Sequence, residues 1–280
     1  MSQKEPSLLG QKRSIKTMEF IKTVWKNKKI IWKLGKSDFK NRFASTSLGS
    51  IWGFLQPFVF MLMYVVVFQF IFGMEGDNGS PYVVWFLPGM VIWQALNDSI
   101  MSSSMSIRNY SYLVKKVVFP IDVIPIISLI GSSFVSIFLL IVATVVCLIF
   151  GYIPNILTIL YVIVALYAFL IAFTRFTSAL TTLVPDFSNL LGIIMQLFFW
   201  ATPVVWSVTR LAGHQTILQV IQCMPFAYLV TAFREAFMGG NIITANHGMY
   251  TIIFWVVTIL IFIWGNHIFN KNKKDFADVL

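Results

Sequence analysis

Side chains able to do acid–base, metal or nucleophilic chemistry are sparse in this sequence, and none stands in a catalytic spacing. His214, His247 and His267 are scattered, with no H-E-x-x-H pair to hold zinc. No G-x-x-x-x-G-K-[ST] loop is present to cradle the phosphates of a nucleotide, and no G-x-S-x-G elbow to expose a serine nucleophile. Cys147 lies inside an apolar run and Cys223 in a connection, so no disulfide is expected. Asp98 and Arg175 are the main ionisable groups within or near apolar runs, where such groups are functional candidates by default. Both lie close to the end of a run, and for Arg175 a side chain snorkelling to the interface is the expectation. A proton-coupled carrier would bury carboxylates at mid-membrane, and a glycan-modifying membrane enzyme would gather acids or histidines on its spans. Neither pattern is found, nor an inverted repeat with paired Gly/Pro breaks.

The elements that must position these few groups follow from composition. Of 280 residues, 58% are hydrophobic and 11% charged, with a mean hydropathy of +0.79. A soluble domain carries about 25% charged residues because it must wet its whole surface. A soluble enzyme, a disordered tail and a disulfide scaffold are excluded. A helix needs roughly 20 apolar residues to cross about 30 Å of hydrocarbon. Six stretches qualify: 51–72, a second from Tyr82 that turns polar after Asn97 and Asp98, then 123–150, 156–184, 187–208 and 250–269. Prolines 57, 88, 125 and 203 fall in or near these runs, which a membrane helix tolerates when neighbours satisfy the freed carbonyls. The expected fold is an all-α integral membrane protein with six transmembrane helices (51–269), a basic leader (1–50) and a short tail (270–280).

Orientation follows from Lys and Arg. Twelve of the 21 lie in residues 1–50; Arg108, Lys115 and Lys116 lie in the second connection, Arg175 near the end of the fourth span, and Lys271, Lys273 and Lys274 in the tail. That puts nineteen on one side, against Arg210 and Arg234 on the other, so both termini are expected in the cytoplasm. The first apolar run begins too late for a cleaved signal peptide. The net charge of +10 then marks an address and gives no support to nucleic-acid binding.

Between the spans, three segments stand out. In 15–46, Ile15, Met18, Ile21, Trp25 and Trp32 recur among lysines, the pattern of an amphipathic helix in the headgroup layer. The second connection, 108–122, reads R-N-Y-S-Y-L-V-K-K-V-V-F-P-I-D, with Leu113, Val114, Val117 and Val118 at spacings of one turn before Pro120. Periodicity alone leaves a plain loop and a docking helix about even. The fifth connection, 210–248, holds two short apolar pieces, 217–224 and 226–238, parted by Pro225 and followed by Gly239-Gly240. Pieces too short to cross are re-entrant, interfacial or buried, and a hairpin dipping in from the outer side is expected. Aromatic residues are abundant. The first span carries Trp52, Phe58, Tyr64 and Phe68, and the fifth Phe198, Phe199, Trp200 and Trp206 around Pro203. Such rings serve as packing, as interface belts or as platforms for the apolar faces of sugars.

Taken in order, DFKNRFASTSLGSIWGFLQPF, YVVWFLPGMVIWQ, NYSYLVKKVVFPIDVIP, DFSNLLGIIMQLFFWATPVVW, MPFAYLVTAFREAFMG and the terminal DFADVL resemble the transmembrane subunit of type-2 ABC exporters of polysaccharides or teichoic acids. The chain departs from that pattern at Ile121, where members often carry Arg or Lys, and at Pro185 before Asp186. The resemblance implies a homodimer with two copies of a separate cytoplasmic ATPase, which would hold the ATP and magnesium. No cofactor, metal or catalytic residue is expected on this chain. It implies that 108–122 is the coupling segment, with Arg108, Tyr110 and Tyr112 on one part and Lys115, Lys116, Phe119 and Pro120 on the other. It further implies that the first and fifth spans line a channel, their aromatics facing an undecaprenyl-linked glycan. The hairpin residues Pro225, Phe226, Tyr228, Arg234 and Glu235 would gate the exit, in a bacterial plasma membrane. The alternative within transport is an exporter of a small lipid or drug; a purely structural scaffold would leave the hairpin without a purpose.

Overall fold

The computed structural model describes residues 20, 22–116, 119–211, 213–240 and 248–280, with the Lys116 side chain left aside. The leader positions Ile15, Met18 and Ile21, together with Val117, Val118, His247 and the last part of the 210–248 connection, lie outside the described residues. Regular structure among those described is helical, apart from an isolated bridge between Glu75 and Pro81. The helices are α1 (Lys28–Arg42), α2 (Ile51–Val65), α3 (Tyr82–Ser104), α4 (Ser106–Asn109), α5 (Ser111–Lys116), α6 (Ile124–Ile149), α7 (Ile156–Leu183), α8 (Phe187–Ala201), α9 (Gln215–Gln222), α10 (Pro225–Phe237), α11 (Gly248–Asn272) and α12 (Phe276–Val279).

Four helical stretches are long and apolar enough to cross a bilayer: Ile51–Ile71, Ile121–Ile149, Ile156–Leu183 and Gly248–Asn272. The first is α2 continued by a wider π-helical turn, Val66–Ile71. A fifth is reached if α9 and α10, which meet at 87°, count as one broken span. The remaining two expected spans differ from the sequence expectation, each for a physical reason.

Helix α3 has the length, about 34 Å at 1.5 Å per residue, but Gln94, Asn97, Asp98 and a serine-rich end dilute its hydropathy. It packs on α6, α7 and α10, and 17 of its residues are buried, so it forms the axis of the bundle. A helix enclosed by protein need not be apolar enough for lipid. Inside it, Pro88 removes the N–H that would have bonded the Val84 carbonyl. The buried Cys147 thiol on α6 points to that carbonyl instead, at 3.9 Å.

The fifth run, expected as 187–208, stops as a helix at Ala201. Its 15 residues cover about 22 Å, short of the hydrocarbon thickness. Pro203 accounts for the stop: it has no N–H to donate, and the residue before a proline is driven out of helical geometry. Thr202 indeed lies at φ −86° and ψ 139°. The carbonyls of the irregular stretch just beyond the stop are met by Arg234 of α10, a residue 5% exposed. Its Nη2 donates to the carbonyls of Pro203 (2.8 Å) and Val204 (3.0 Å), and its Nε to that of Trp85 on α3 (2.9 Å). The guanidinium lies 3.6 Å from the centroid of a Trp85 ring. Gly89 is required alongside, because a Cβ there would come within 2.5 Å of Nη2. One side chain thus ties α3, α10 and the break after α8 together.

Helix α10 is the other half of this arrangement. It packs on α3 and α7, with Phe226, Tyr228, Phe233 and Phe237 buried. The Tyr228 hydroxyl bonds those of Tyr161 on α7 and Thr251 on α11, each at 3.0 Å, and Trp255 Nε1 donates to Tyr161 at 3.1 Å. At the same end, Trp85 Nε1 and the Ser207 hydroxyl both donate to Asp77, and Tyr82 donates to the Val205 carbonyl at 3.0 Å.

Replacing Arg234 by Met should destabilise the protein by about 2–4 kcal/mol, since the buried Pro203 and Val204 carbonyls lose their donor at roughly 1–3 kcal/mol each before relaxation. Arg234→Lys should fall between, as one ammonium cannot span all three carbonyls. Denaturation of purified protein in detergent measures both; equal stability of Arg234→Met and the unaltered chain would refute the clamp.

Candidate functional site

Two groups of expected functional residues lie at opposite ends of the bundle. At one end gather the leader, the connection 105–123 and the tail. The connection folds as α4 and α5 before Pro120, so the segment that periodicity left as loop or helix is helical over Ser111–Lys116. Leu113 and Val114 turn toward a second apolar core formed by Ile31, Ile107, Tyr110, Val123, Ile124, Ile127, Ala179, Phe269 and Phe276. Its expected docking residues divide by direction. Arg108 donates to the Thr182 carbonyl at the end of α7 (3.3 Å), Tyr110 is buried, and Phe119 packs on the core. Tyr112, 54% exposed, and Lys115 point outward. Pro120 is half-buried at the exit of the segment.

Tyr110 joins this segment to the leader. Its hydroxyl donates to Asp38 Oδ1 at 2.8 Å, while Asp38 Oδ2 accepts from Arg42 Nε and Nη2 at 3.0 and 2.7 Å. Arg42 continues to Asp98 on α3 (3.4 Å), to the Ser132 hydroxyl (3.2 Å) and to the Ser128 carbonyl on α6 (3.1 Å). Burial and the adjacent Asp38 carboxylate raise the Tyr110 pKa, so its hydroxyl stays protonated and remains the donor. Asp98, an isolated acid in the sequence, is therefore one member of a four-element network. Asp38 and Arg42 form an i,i+4 ion pair on α1, a spacing that itself signals such a pair on a helix.

The leader itself turns two ways. Ile31, Gly35 and Phe39, four apart, pack on α6, and at Gly35 a Cβ would come within 2.5 Å of Ile130. Trp25 and Trp32 are exposed, at 72% and 56%, with the Trp32 ring edging onto Phe134 of α6 at 5.7 Å.

Arg175 corrects an expectation. It does not snorkel: it is 2% exposed, held between the rings of Phe20 and Phe269 with its guanidinium carbon 4.3 and 4.4 Å from their centroids. Nη2 donates to Asp122 Oδ1 (3.2 Å) and Asn266 Oδ1 (2.9 Å), and Lys273 from the tail pairs with the other Asp122 oxygen. Snorkelling lost because the leader and the end of α11 close over the site.

The second group concerns α2 and α8, two weakly covered helices. In α8 only Leu191, Met195 and Phe199 are buried, a single stripe at spacing four. In α2 the stripe is Gly53, Pro57, Met61 and Val65. The eight aromatics expected to line a channel separate accordingly. Trp52, Phe58 and Trp200 are exposed. Tyr64, Phe68, Phe198 and Trp206 are half-buried, and Phe199 is buried. Tyr64 joins the two helices through Phe199, ring centroids 5.9 Å apart, and stacks on Phe68 at 6.0 Å. Phe198 stacks on Phe226 of α10 at 4.8 Å, and Trp206 Nε1 donates to the Trp200 carbonyl. Beside the α1-proximal end of α2 lies a cavity of about 330 Å³ bordered by Arg42, Gln56, Gln94, Asn97 and Asp98. Of the hairpin residues, Phe226, Tyr228 and Arg234 are buried, whereas Pro225 and Glu235 are half-buried. Among the described residues no group of three or more His, Cys, Asp and Glu is placed to hold a metal ion.

A double-mutant cycle on Tyr110→Phe and Asp38→Ala should give a coupling of about 1.5–3 kcal/mol in unfolding free energy, the size of a hydrogen bond to a charged group. Additive effects would mean that the two side chains do not hold the connection to the leader.

Similarity to known proteins agrees with this architecture. The ABC-2 type transporter family matches residues 30–238, from the leader to the end of α10. An O-antigen export system permease protein RfbA of Klebsiella pneumoniae is 25% identical over 246 residues, covering 87% of this chain and 92% of that protein. The protein of the same name from Myxococcus xanthus is 21% identical over 263 residues, covering 93% and 99%. With three quarters of its length matched, this multi-pass membrane chain belongs to the ABC-2 type transporter family.

Proposed function

We propose that this chain is the permease subunit of an ATP-driven exporter that moves a lipid-linked polysaccharide outward across a bacterial plasma membrane. The observation that carries the reading is the pairing of two weakly covered helices, α2 and α8, that meet through Tyr64 and Phe199 and leave Trp52, Phe58 and Trp200 exposed. A monomer facing lipid needs no such aromatic face, whereas two copies brought together would enclose it. Sugar rings lie well on aromatic faces, and the polar cavity at Gln56, Gln94 and Asn97 would offer hydroxyl-binding amides at the inner mouth. Export of an O-antigen by the relatives, as their names state, agrees with a glycan cargo. A small-lipid or drug exporter is the weaker reading, since it calls for a closed pocket and not a continuous face.

In this scheme both termini are cytoplasmic, and α3 and α8, the latter carried on by the irregular stretch after Thr202, complete six crossings around the α9–α10 hairpin at the outer exit. Two copies of a separate ATPase bind ATP and magnesium and dock at α5, where Tyr112 and Lys115 project. Movement of α5 passes through Tyr110 to Asp38 and Arg42, hence to α3 and α6, and shifts α2 against its copy. The energy comes from the partner, and this chain supplies surfaces and levers.

Two outcomes are expected. Substituting Tyr112 and Lys115 by Ala should leave assembly with the ATPase from the same operon intact while lowering substrate-coupled ATPase activity at least about fivefold, the loss of roughly 1 kcal/mol of coupling. Unchanged coupled activity would remove α5 from the docking role. A single cysteine at Ile193, which is 61% exposed, should crosslink two copies in membranes of a Cys147→Ala/Cys223→Ser chain. A crosslink at Ile153, 80% exposed on the opposite loop, with none at Ile193 would place the dimer contact elsewhere.

A further inference from the structure

A cavity of about 470 Å³ lies where the leader, the exit of the connection and the tail converge, lined by Lys22, Asp122, Arg175, Asn266, Asn270 and Lys273 among others. Among the described lining residues the charge does not balance: the one carboxylate, Asp122, serves two cations, Arg175 and Lys273, while Lys22 is exposed at the rim. Arg175 is 2% exposed, and its Nε has no hydrogen-bond partner. A buried cation with incomplete compensation is costly, so such a site favours an incoming anion. The guanidinium is also held in place beforehand, with Phe20 and Phe269 packed against it and Asn266 accepting from Nη2. Little side-chain freedom remains to be lost on binding.

We infer that this cavity binds a phosphate group, with the headgroup of an anionic lipid of the leaflet next to the leader as its source. The position suits that source. The cavity lies at the ends of the long apolar helices α6, α7 and α11, beside a leader that exposes Trp25 and Trp32, the residue type that settles at headgroup level. A lipid phosphate bridging Lys22 on the leader and Lys273 on the tail would brace both against the Pro120 exit of α5. The inference needs only that the chain sits in a bilayer and does not depend on the cargo.

The test uses the full chain in nanodiscs of phosphatidylcholine alone, of phosphatidylcholine with phosphatidylglycerol, and of phosphatidylcholine with added inorganic phosphate. Lipids retained on release are counted by native mass spectrometry, and thermal unfolding is followed in parallel. Phosphatidylglycerol should be retained in preference to phosphatidylcholine and should raise the unfolding midpoint. Lys22→Gln and Lys273→Gln should each cut that preference about fivefold, the equivalent of roughly 1 kcal/mol per basic residue near an anionic headgroup. Lys273→Arg, which keeps the charge and the pairing with Asp122, should retain it. Stabilisation by inorganic phosphate that disappears in Lys22→Gln would keep the site and make free phosphate its source. A preference equal in the unaltered chain and in the Lys22→Gln/Lys273→Gln chain, with no response to phosphate, would overturn the proposal.

Discussion

In apolar surroundings a backbone carbonyl without a donor costs as much as a lost hydrogen bond, and the hairpin end of this protein is organised around meeting that demand. Pro203 ends α8, and the irregular stretch that begins with it carries buried carbonyls that no helix pairs. Arg234 answers them, and in doing so it must lie against Trp85, cross Gly89 and hold α10 against α3. The break in one helix, the burial of the next and the axial place of α3 are therefore one solution to one problem. For the buried cation of this hairpin, three carbonyls and an indole face take the place of solvent.

The other end is governed by charge. Two clusters, Tyr110–Asp38–Arg42–Asp98 and Asp122–Arg175–Lys273, fasten the leader, the connection and the tail to the long helices. Each contains a residue of the 105–123 connection or its exit, so a displacement of α5 cannot remain local. Tyr112 and Lys115 project from the same helix, on the far side from its packed face. That division, with inward residues anchoring and outward ones free to meet another protein, is what a lever requires and supports the coupling role proposed for the segment.

Between the ends, α2 and α8 are left with one buried stripe each, while α3 is buried nearly all round. The contrast explains why polarity and burial run opposite to a simple membrane rule. The helix richest in amides and serines is at the centre, shielded by protein, and the greasiest faces are outside. Polymer passage along a face shared by two copies is the proposed use of that arrangement.

Much of this was legible in the residues. Long apolar runs ending near 150, 184 and 269 located three membrane-capable helices to within a few residues, because a bilayer-sized stretch of Leu, Ile, Val and Phe has few other uses. Pro225 between two short apolar pieces marked the 87° bend, whereas Leu113 and Val114 before Pro120 left loop and helix even until packing on the inner core made the segment helical. The early stop of α8 was signalled by Pro203, but how the chain tolerates it was not. Long-range pairings were hidden as well: Arg234 to the carbonyl of Pro203, Asp98 to Arg42, and Arg175 to Asp122 and the tail. Helical periodicity reports which face of a helix is apolar, and it is silent on which distant segment covers that face. Arg175 shows the difference most clearly, since sequence position near a helix end suggested exposure and only the closing of the leader and tail over it decided burial. The sequence by itself determined a greasy, helical, asymmetrically basic membrane chain. Tertiary structure decided which of its few charges meet, because partners far apart in the chain are chosen by packing geometry and not by local pattern.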